Sequence, residues 1–420
     1  MDGLPPSSQS TAAAPPTATT MHRFWLLTSA AAVSKLGNTF LNLAMPWTLL
    51  AHTGSPLLAA LSLGVQNLPY IISPLLGGLI DRYERRRVFM VSELVQGVAV
   101  ALVPLLLMGQ QIAWTLLLLL VVGCASVVSN LTSDFSLVPA LSPPDRLAEA
   151  YSRYASATSV ARCIGPAIAG GVLATVGPSW ALWFDATTFL ATAAVALTLP
   201  VQPAAPASAG FLSMLSEGFR GFRRLPGVVR LTVVLALYNL GAGSMPAIVV
   251  VLAKDAWHWS SGQAGLVLAA GAAGSALGAW LGPRVLAKGS TTRRVGCWFG
   301  VCAVACALLL PPWPALTVVG FFVLMAGEGG MNVTTNEYRF RAIPNALVGR
   351  VNSIMRAFIV GATVLSSVVL GWSVSLPEQL LRLAPAVIGA AAAFAVWAAV
   401  RPDTSTAPEP PVLRSEEQRA

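Results

Sequence analysis

Charged side chains are scarce in this sequence, and cysteine and histidine are scarcer still. Asp, Glu, Lys and Arg supply 10% of 420 residues while hydrophobic residues supply 55%, with a mean hydropathy of +0.70. A soluble domain draws about a quarter of its residues from the charged types, so the composition excludes an ordinary soluble fold and predicts a multi-span membrane protein. The five cysteines (Cys124, Cys163, Cys297, Cys302, Cys306) all lie inside apolar runs, with no Cys-x-x-Cys or His/Cys spacing. That excludes an extracellular disulfide framework and a thiolate metal site. The cysteines are expected to pack, and neither metal nor cofactor is expected. His22 and His52 fall at helix ends and His258 in a loop, which leaves no histidine relay. No nucleophile or phosphate-loop constellation stands out, so the chain is not read as an enzyme. Residues 1–20 are rich in Ser, Thr, Ala and Pro and lack a basic start followed by an apolar core. The first membrane helix is therefore expected to direct insertion in place of a cleaved signal peptide.

What is present is a series of apolar stretches long enough to cross a bilayer, which takes about 20 residues each. Twelve are read, near 24–51, 57–80, 88–109, 112–140, 156–177, 180–200, 228–253, 263–285, 294–311, 314–338, 346–374 and 380–400. The net charge of +9 provides a check. If the stretches alternate from a cytoplasmic N-terminus, 21 of the 26 Lys and Arg fall in cytoplasmic segments. Only Lys254 and Arg382 fall in outer loops, with Lys35, Arg162 and Arg356 inside spans. Basic residues concentrate on the cytoplasmic side of membrane proteins. The distribution thus predicts two cytoplasmic termini in a plasma or inner cell membrane, and it accounts for the charge with the lipid bilayer as partner and no nucleic acid. Trp25, Trp114, Trp180, Trp183, Trp257, Trp259 and Trp313 fall near span ends, as interfacial anchors do.

The organisation expected is a disordered tail over 1–22, a six-helix half over 23–200, a cytoplasmic linker over 201–227, a second half over 228–400 and a disordered tail over 401–420. In the linker Phe211, Leu215, Phe219 and Phe222 recur near helical spacing beside Glu217, Arg220, Arg223 and Arg224, which predicts an interfacial amphipathic helix. The halves carry faint copies of one another. Met45-Pro46 and Met245-Pro246 lie 200 residues apart, Arg86-Arg87-Val88 and Arg293-Arg294-Val295 lie 207 apart, and Pro139 and Pro344 lie 205 apart. Near-constant offsets predict two repeats facing one another across a central path. The fold class expected is all-α and integral to the membrane, with twelve transmembrane helices in two pseudo-symmetric six-helix halves.

Between the second and third stretches runs Gly77-Gly78-Leu79-Ile80-Asp81-Arg82-Tyr83-Glu84-Arg85-Arg86-Arg87. A loop that merely sets topology would need the arginines but has no use for Asp81 or the glycines. The stretch resembles the signature of the major facilitator superfamily, Gly-x-Leu-x-Asp-Arg-x-Gly-Arg-Arg, at Gly77, Leu79, Asp81, Arg82, Arg85 and Arg86, with Glu84 in place of the second glycine. The resemblance implies the major facilitator fold. It also implies that Gly77, Asp81, Arg82, Arg85 and Arg86 form a conformational latch on the cytoplasmic side that breaks when the site opens inward. A carboxylate at a helix end paired with Arg or a helix N-terminus contributes roughly 1 kcal/mol, a size suited to a contact that must open. Leu137-Val138-Pro139, Arg146-Leu147-Ala148-Glu149-Ala150, Phe184-Asp185-Ala186-Thr187-Thr188-Phe189, Glu217-Gly218-Phe219-Arg220 and Val348-Gly349-Arg350-Val351 add to the series. Over residues 23–400 they are similar to the branch that contains the enterobactin exporter and macrolide efflux proteins. Gly165, Pro166, Gly170 and Gly171 form a helix-packing motif of small residues. Ordinary close packing is one reading of it. In the superfamily a related element marks exporters working by antiport, which implies export, although Ala161 stands where that element has an upstream glycine.

Polar groups inside spans mark the expected path, since a charge at the bilayer centre costs about 2.5–3.5 kcal/mol on insertion scales. Lys35, Asn38 and Asn42 lie on roughly one face of the first stretch. Ser126, Asn130 and Asp134 follow i, i+4, i+8 spacing on the fourth, as Glu328, Asn332 and Asn336 do on the tenth. Polar stripes from these helices are predicted to face a common space. Asp134 and Asn336 read equally well as a structural pair near the cytoplasmic ends. Proton coupling needs a carboxyl that changes protonation between the two open states. Glu328, Asp185, Glu93 and Asp134 are the candidates, with Lys35, Arg162 and Arg356 as available partners and Asn239 as a further path residue. Chains implied by the resemblance often carry an acid near Asn38, and its absence argues against a first-helix proton carrier. The function expected is a monomeric secondary transporter that exports a small amphipathic compound, of the drug, antibiotic or siderophore class, in exchange for protons by alternating access. An importer of a nutrient or lipid on the same fold stands as an alternative, as does a receptor that binds ligand without moving it.

Overall fold

The structure, a computed structural model, describes residues 18–73, 76, 83–142, 146–201, 211–285, 290–344, 347–376 and 379–399. Gly77, Asp81 and Arg82 of the expected latch, residues 401–420, and most of the N-terminal tail lie outside the described residues. In hydrocarbon every backbone N–H and C=O must be satisfied within its own segment or by closure of a barrel, and this chain takes the helical solution. The first half comprises α1 (Ala18–Thr53), α2 (Pro56–Asn67), α3 (Arg85–Met108), α4 (Ile112–Thr132), α5 (Leu147–Val176) and α6 (Pro178–Ala196). A connecting helix, α7 (Phe211–Arg223), leads to α8 (Pro226–Ala242), α9 (Met245–Val251) and α10 (Ser261–Val285). The bundle is completed by α11 (Thr291–Leu308), α12 (Pro314–Ala342), α13 (Val348–Ser373) and α14 (Gln379–Ala399). Because α8 and α9 form one interrupted crossing, these helices make twelve crossings, and α7 lies between the halves.

Among the described residues eight of the crossings are by themselves long and apolar enough to span a membrane. Three of the other four fall short for reasons visible in their residues. α1 carries Lys35, Asn38 and Asn42, α6 carries Asp185 with Thr187, Thr188 and Thr192, and α11 opens on Thr291-Thr292-Arg293-Arg294. α2 gives way after Asn67 to a 3-10 turn, Leu68–Ile72, at Pro69. Turn chemistry sets the sharp reversals. Gly54 at φ +63° and Ser55, whose Oγ accepts from the Leu58 N–H, carry α1 into α2. Gly177 at φ +86° followed by Pro178 carries α5 into α6. The Met-Pro repeat is treated differently in the two halves. Pro46 lies inside an unbroken α1, whereas Pro246 opens α9 after a break at which the Ser244 N–H donates to Ser366 Oγ at 3.2 Å. The Ser366 hydroxyl of α13 takes over the acceptor role that the preceding helical turn would have played, and the Ser244 side chain adds a second tie, its Oγ 2.9 Å from Ser367 Oγ.

Each half has its own apolar core, and few residues pass between them. Val250, Ala253 and Ala264 of the second half pack into the first core, and Leu50, Ala59 and Ala60 of the first pack into the second. All six lie near the end of the bundle away from the arginine-rich segments. At that end a Cβ on Gly170 of α5 would meet Gly265 Cα and the Ser261 carbonyl of α10 at 2.8 Å. A Cβ on Gly371 of α13 would meet Ala60 Cβ and Leu57 Cα of α2 at 3.0 Å. Glycine is what lets these backbones touch. Lys254 adds a polar tie across the halves: its Nζ donates to the Trp47 carbonyl at 3.0 Å and lies 5.1 Å from that ring's centroid. Away from these contacts α3 turns Val91, Leu94, Val98, Leu102 and Leu105 outward, a stripe suited to lipid.

Gly170→Leu should force α5 and α10 apart at an overpacking cost of about 1–3 kcal/mol and lower the thermal midpoint of the detergent-solubilised protein. Gly171→Leu, one residue on and with nothing within 4 Å of its Cβ, should leave the midpoint unchanged. Equal midpoints for the two variants would mean that the halves do not approach here.

Candidate functional site

The acids of the first half are enclosed by hydroxyls. Glu93 on α3 is 2% exposed and sits where three helices meet: Ser34 Oγ of α1 donates to its Oε2 at 3.1 Å, and Ser129 Oγ of α4 donates to its Oε1. Asp185 on α6 is 0% exposed, with Thr188 Oγ1 3.5 Å from its Oδ1 and no partner for Oδ2 among the described residues. It faces α1 at Gly37, where a Cβ would lie 2.4 Å from Asp185 Oδ1 and 2.1 Å from Thr188 Oγ1. The acid and its threonine reach α1 only because residue 37 lacks a side chain. Asp134 lies in a π turn, Ser133–Leu137, that continues α4. Such widened turns often occur at functional sites. Tyr154 Oη of α5 donates to Asp134 Oδ1 at 2.9 Å, and Tyr151 Oη donates to its carbonyl at 2.6 Å. Half-buried Lys35 stands within electrostatic reach of Arg162, Asp134 and Glu93.

The second half holds an open cavity of about 260 Å³. α8 contributes Leu235, Tyr238 and Asn239, α12 contributes Glu328, Met331, Asn332, Thr335 and Arg339, and α13 contributes Arg356, Ile359 and Val360. Tyr238 Oη donates to Glu328 Oε1 at 2.8 Å, fixing the carboxyl at one end of the space. Arg339 is braced by neutral acceptors: Asn352 Oδ1 at 3.2 Å, the Thr335 carbonyl at 3.3 Å, and Asn336 Oδ1. Asn239 Oδ1 accepts from Thr363 Oγ1 of α13 at 3.1 Å. The arrangement can hold a small solute between a carboxyl and two guanidiniums, against the apolar walls of Ile359, Val360 and Leu235.

Of the path residues read from the sequence, the structure brings Asn239, Glu328, Asn332 and Arg356 together in this cavity. Lys35, Asn38, Asn42 and Asn130 do not line it. Asn38 Nδ2 donates to the Ser34 carbonyl of its own helix at 3.0 Å, Asn42 is exposed, and Asn130 Nδ2 donates to Tyr70 Oη of the 3-10 turn at 2.9 Å. Asp134 and Asn336 are not each other's partners, since the first is taken by Tyr154 and Ser133 and the second by Arg339. In the signature stretch Glu84, standing where the pattern has glycine, accepts from Arg86 Nε at 3.1 Å and Arg87 Nε at 2.6 Å. Arg86 Nη1 also donates to the Leu197 and Leu199 carbonyls beyond α6 at 3.4 and 3.3 Å. Arg85 opens α3. In the packing motif Gly165 lies against Thr39 of α1 and Gly170 against α10, the carbonyl of Pro166 lies 2.5 Å from where a Cβ on Gly265 would stand, and Gly171 is open. Cys302 and Cys306 are buried, but Cys297 is exposed, so packing does not account for every cysteine.

Sequence reasoning missed Tyr238, Tyr154, Ser34, Ser129 and Arg339. Three are hydroxyls inside apolar runs and Tyr154 stands just before the fifth, and the partners of all four are distant in sequence. Arg339 looked like a loop charge because the tenth stretch was read as ending at 338, whereas α12 runs on to Ala342; counting three further turns from Glu328 would have placed it on the same face.

The sequence profile of the Major Facilitator Superfamily matches residues 27–367. The multidrug efflux pump Tap of Mycobacterium tuberculosis (strain ATCC 25618 / H37Rv) is 32% identical over 301 residues, covering 66% of this chain and 69% of that protein. The enterobactin exporter EntS of Shigella boydii serotype 4 (strain Sb227) is 25% identical over 344 residues, covering 79% and 80%. Among solved structures the nucleoside transporter NupG superposes with a TM-score of 0.72 at 13% identity, over 90% of this chain and 98% of that one, a likeness of fold. With its series of apolar helices, this is a multi-pass membrane protein.

Gly37→Ala should destabilise the protein by about 1–3 kcal/mol through overpacking against α6. Thr188→Ala removes the nearest clashing atom, so the double variant should lose less stability than the sum of the single losses. Strict additivity of the thermal midpoints would mean that α1 and α6 do not meet at this point.

Proposed function

This chain belongs to the Major Facilitator Superfamily, and from that premise we propose that it is a secondary active exporter of a small amphipathic compound, driven by proton antiport. The observation that carries the reading is the cavity in which Glu328, held by Tyr238, faces Arg339 and Arg356. Export is supported by the likeness to a multidrug efflux pump and an enterobactin exporter. The two halves rock about the glycine contacts between α5 and α10 and between α2 and α13. Substrate and proton bias the rocking through their different affinities for the two states. Glu328 is the acid that alternates between proton and substrate. Glu93, Asp185 and Asp134, each held within the first half, keep its helices in register as that half moves. The chain lies in the plasma or inner membrane with both termini cytoplasmic, as the placement of its basic residues supports. It works as a monomer, and no catalytic step is part of the cycle. Each proton moving inward contributes about 2.3 kcal/mol per 100 mV of membrane potential.

In an efflux-deficient bacterium expressing the chain, accumulation of a substrate from a panel of macrolides, tetracyclines, dyes and siderophores should fall, and a protonophore should restore it. Raised accumulation would reverse the direction. Glu328→Gln should insert normally yet abolish the protonophore-sensitive difference. Asp81→Asn should weaken the signature latch by roughly 1 kcal/mol and slow turnover about fivefold without loss of membrane insertion; full turnover in that variant would remove the latch role.

A further inference from the structure

The cavity of the second half keeps its charges apart. Three carboxylates among the described residues are matched to neighbouring arginines: Glu84 to Arg86 and Arg87, Glu149 to Arg153, and Glu337 to Arg294 and Arg341. Glu93, Asp134 and Asp185 are held by hydroxyls, whereas Glu328 shares its cavity with two guanidiniums and pairs with neither. Its hydrogen bond comes from a neutral phenol, Tyr238, although two guanidiniums line the same space. Arg339 is held by amide and carbonyl oxygens, none of which neutralises it. Arg356 makes no ion pair or hydrogen bond among the described residues, and the two arginines stand close enough to repel one another. Glu328 and Arg339 both lie on α12, about 16 Å apart along its axis and, three turns on, on the same face.

A charge within a membrane span needs a partner or a water-filled space, and here a carboxyl and two guanidiniums line one open cavity, with Asn239, Asn332 and Thr335 beside them, without closing into an ion pair. A solute that supplied both missing partners would satisfy the two ends at once. Its anionic group would accept charge-assisted hydrogen bonds from the arginines, which suit planar, bidentate oxygen pairs. Its ammonium would meet the Glu328 carboxylate, and its body would lie against Ile359 and Val360. We propose that this cavity binds an amphoteric compound, with a cationic amine at Glu328 and a carboxylate, enolate or phenolate at Arg339 and Arg356. The inference rests on the export reading and deepens it. An ammonium and a proton compete for one carboxylate, so an amphoteric solute leaves as a proton takes its place, while the arginines give the anionic end a place that the proton does not contest.

The test is binding to the full-length protein in detergent, by isothermal titration, of three matched probes. These are 4'-(aminomethyl)biphenyl-4-carboxylic acid, which carries both charges, its methyl ester, which keeps the cation, and its N-acetyl derivative, which keeps the anion. The amphoteric probe should bind at least tenfold tighter than either derivative. Glu328→Gln should erase its advantage over the N-acetyl compound, and Arg356→Gln should erase its advantage over the ester, while Arg356→Lys, which keeps the charge, should retain part of it and control for folding. Equal affinity for all three probes, preference for the ester or the N-acetyl compound, or binding of none of them would overturn the proposal. Export is tested separately by cellular accumulation: proton-driven efflux of purely cationic or neutral compounds would leave the export reading standing and sink this one.

Discussion

Two apolar half-bundles have little hydrophobic reason to associate in a membrane, because lipid tails solvate leucine as well as another helix does. What joins these halves is backbone approach at small residues. Gly170 meets Gly265 and Ser261, and Gly371 meets Leu57 and Ala60. Contacts of this kind depend on van der Waals fit, so they are close without being permanent. At one end of the bundle Leu50, Ala59, Ala60, Val250, Ala253 and Ala264 carry each core a short way into the other half, and α2 meets α13 farther along as well, where a Cβ on Gly64 would lie 2.6 Å from Ser367 Oγ.

The halves handle buried charge in opposite ways. In the first, Glu93 is enclosed by two serines, Asp134 by two tyrosines and a serine, and Asp185 by Thr188 and the bare backbone of Gly37. Those acids join α1, α3, α4, α5 and α6 into one unit. In the second, the carboxyl and the guanidiniums remain around a space. A pseudo-symmetric scaffold thus carries an asymmetric division of labour: one half is braced by its polar groups and the other presents them.

Irregular backbone falls where that division needs it. The π turn at Ser133–Leu137 carries Asp134 and the one at Leu252–Ala256 carries Lys254, while the break at Gly243-Ser244 is offset by hydrogen bonds that Ser244 donates to α13. Backbone that leaves the helical ladder inside a membrane is tolerated only where protein or an aqueous space receives it. Here the hydroxyl of Ser366 and the phenol of Tyr151 do so.

The sequence by itself determined the number of crossings, their grouping into two halves and the membership of the superfamily, because these rest on local properties: runs of about 20 apolar residues, arginines gathered into alternate loops, and a signature whose residues are contiguous. It also marked Glu328, Asn332, Asn239 and Arg356, since a polar residue in an apolar run is conspicuous wherever it points. Only the tertiary structure decided which of these share a space. The polar stripe of α1 looked as promising as that of α12, yet Asn38 turns to its own backbone and Asn130 to Tyr70. The partners of the acids were equally hidden, for Ser34 lies 59 residues from Glu93 and Tyr238 lies 90 from Glu328. Helix periodicity fixes the face on which a side chain stands, but the neighbour that face meets is set by how the helices pack. That packing turns on single glycines whose importance is invisible until the opposite backbone is in place.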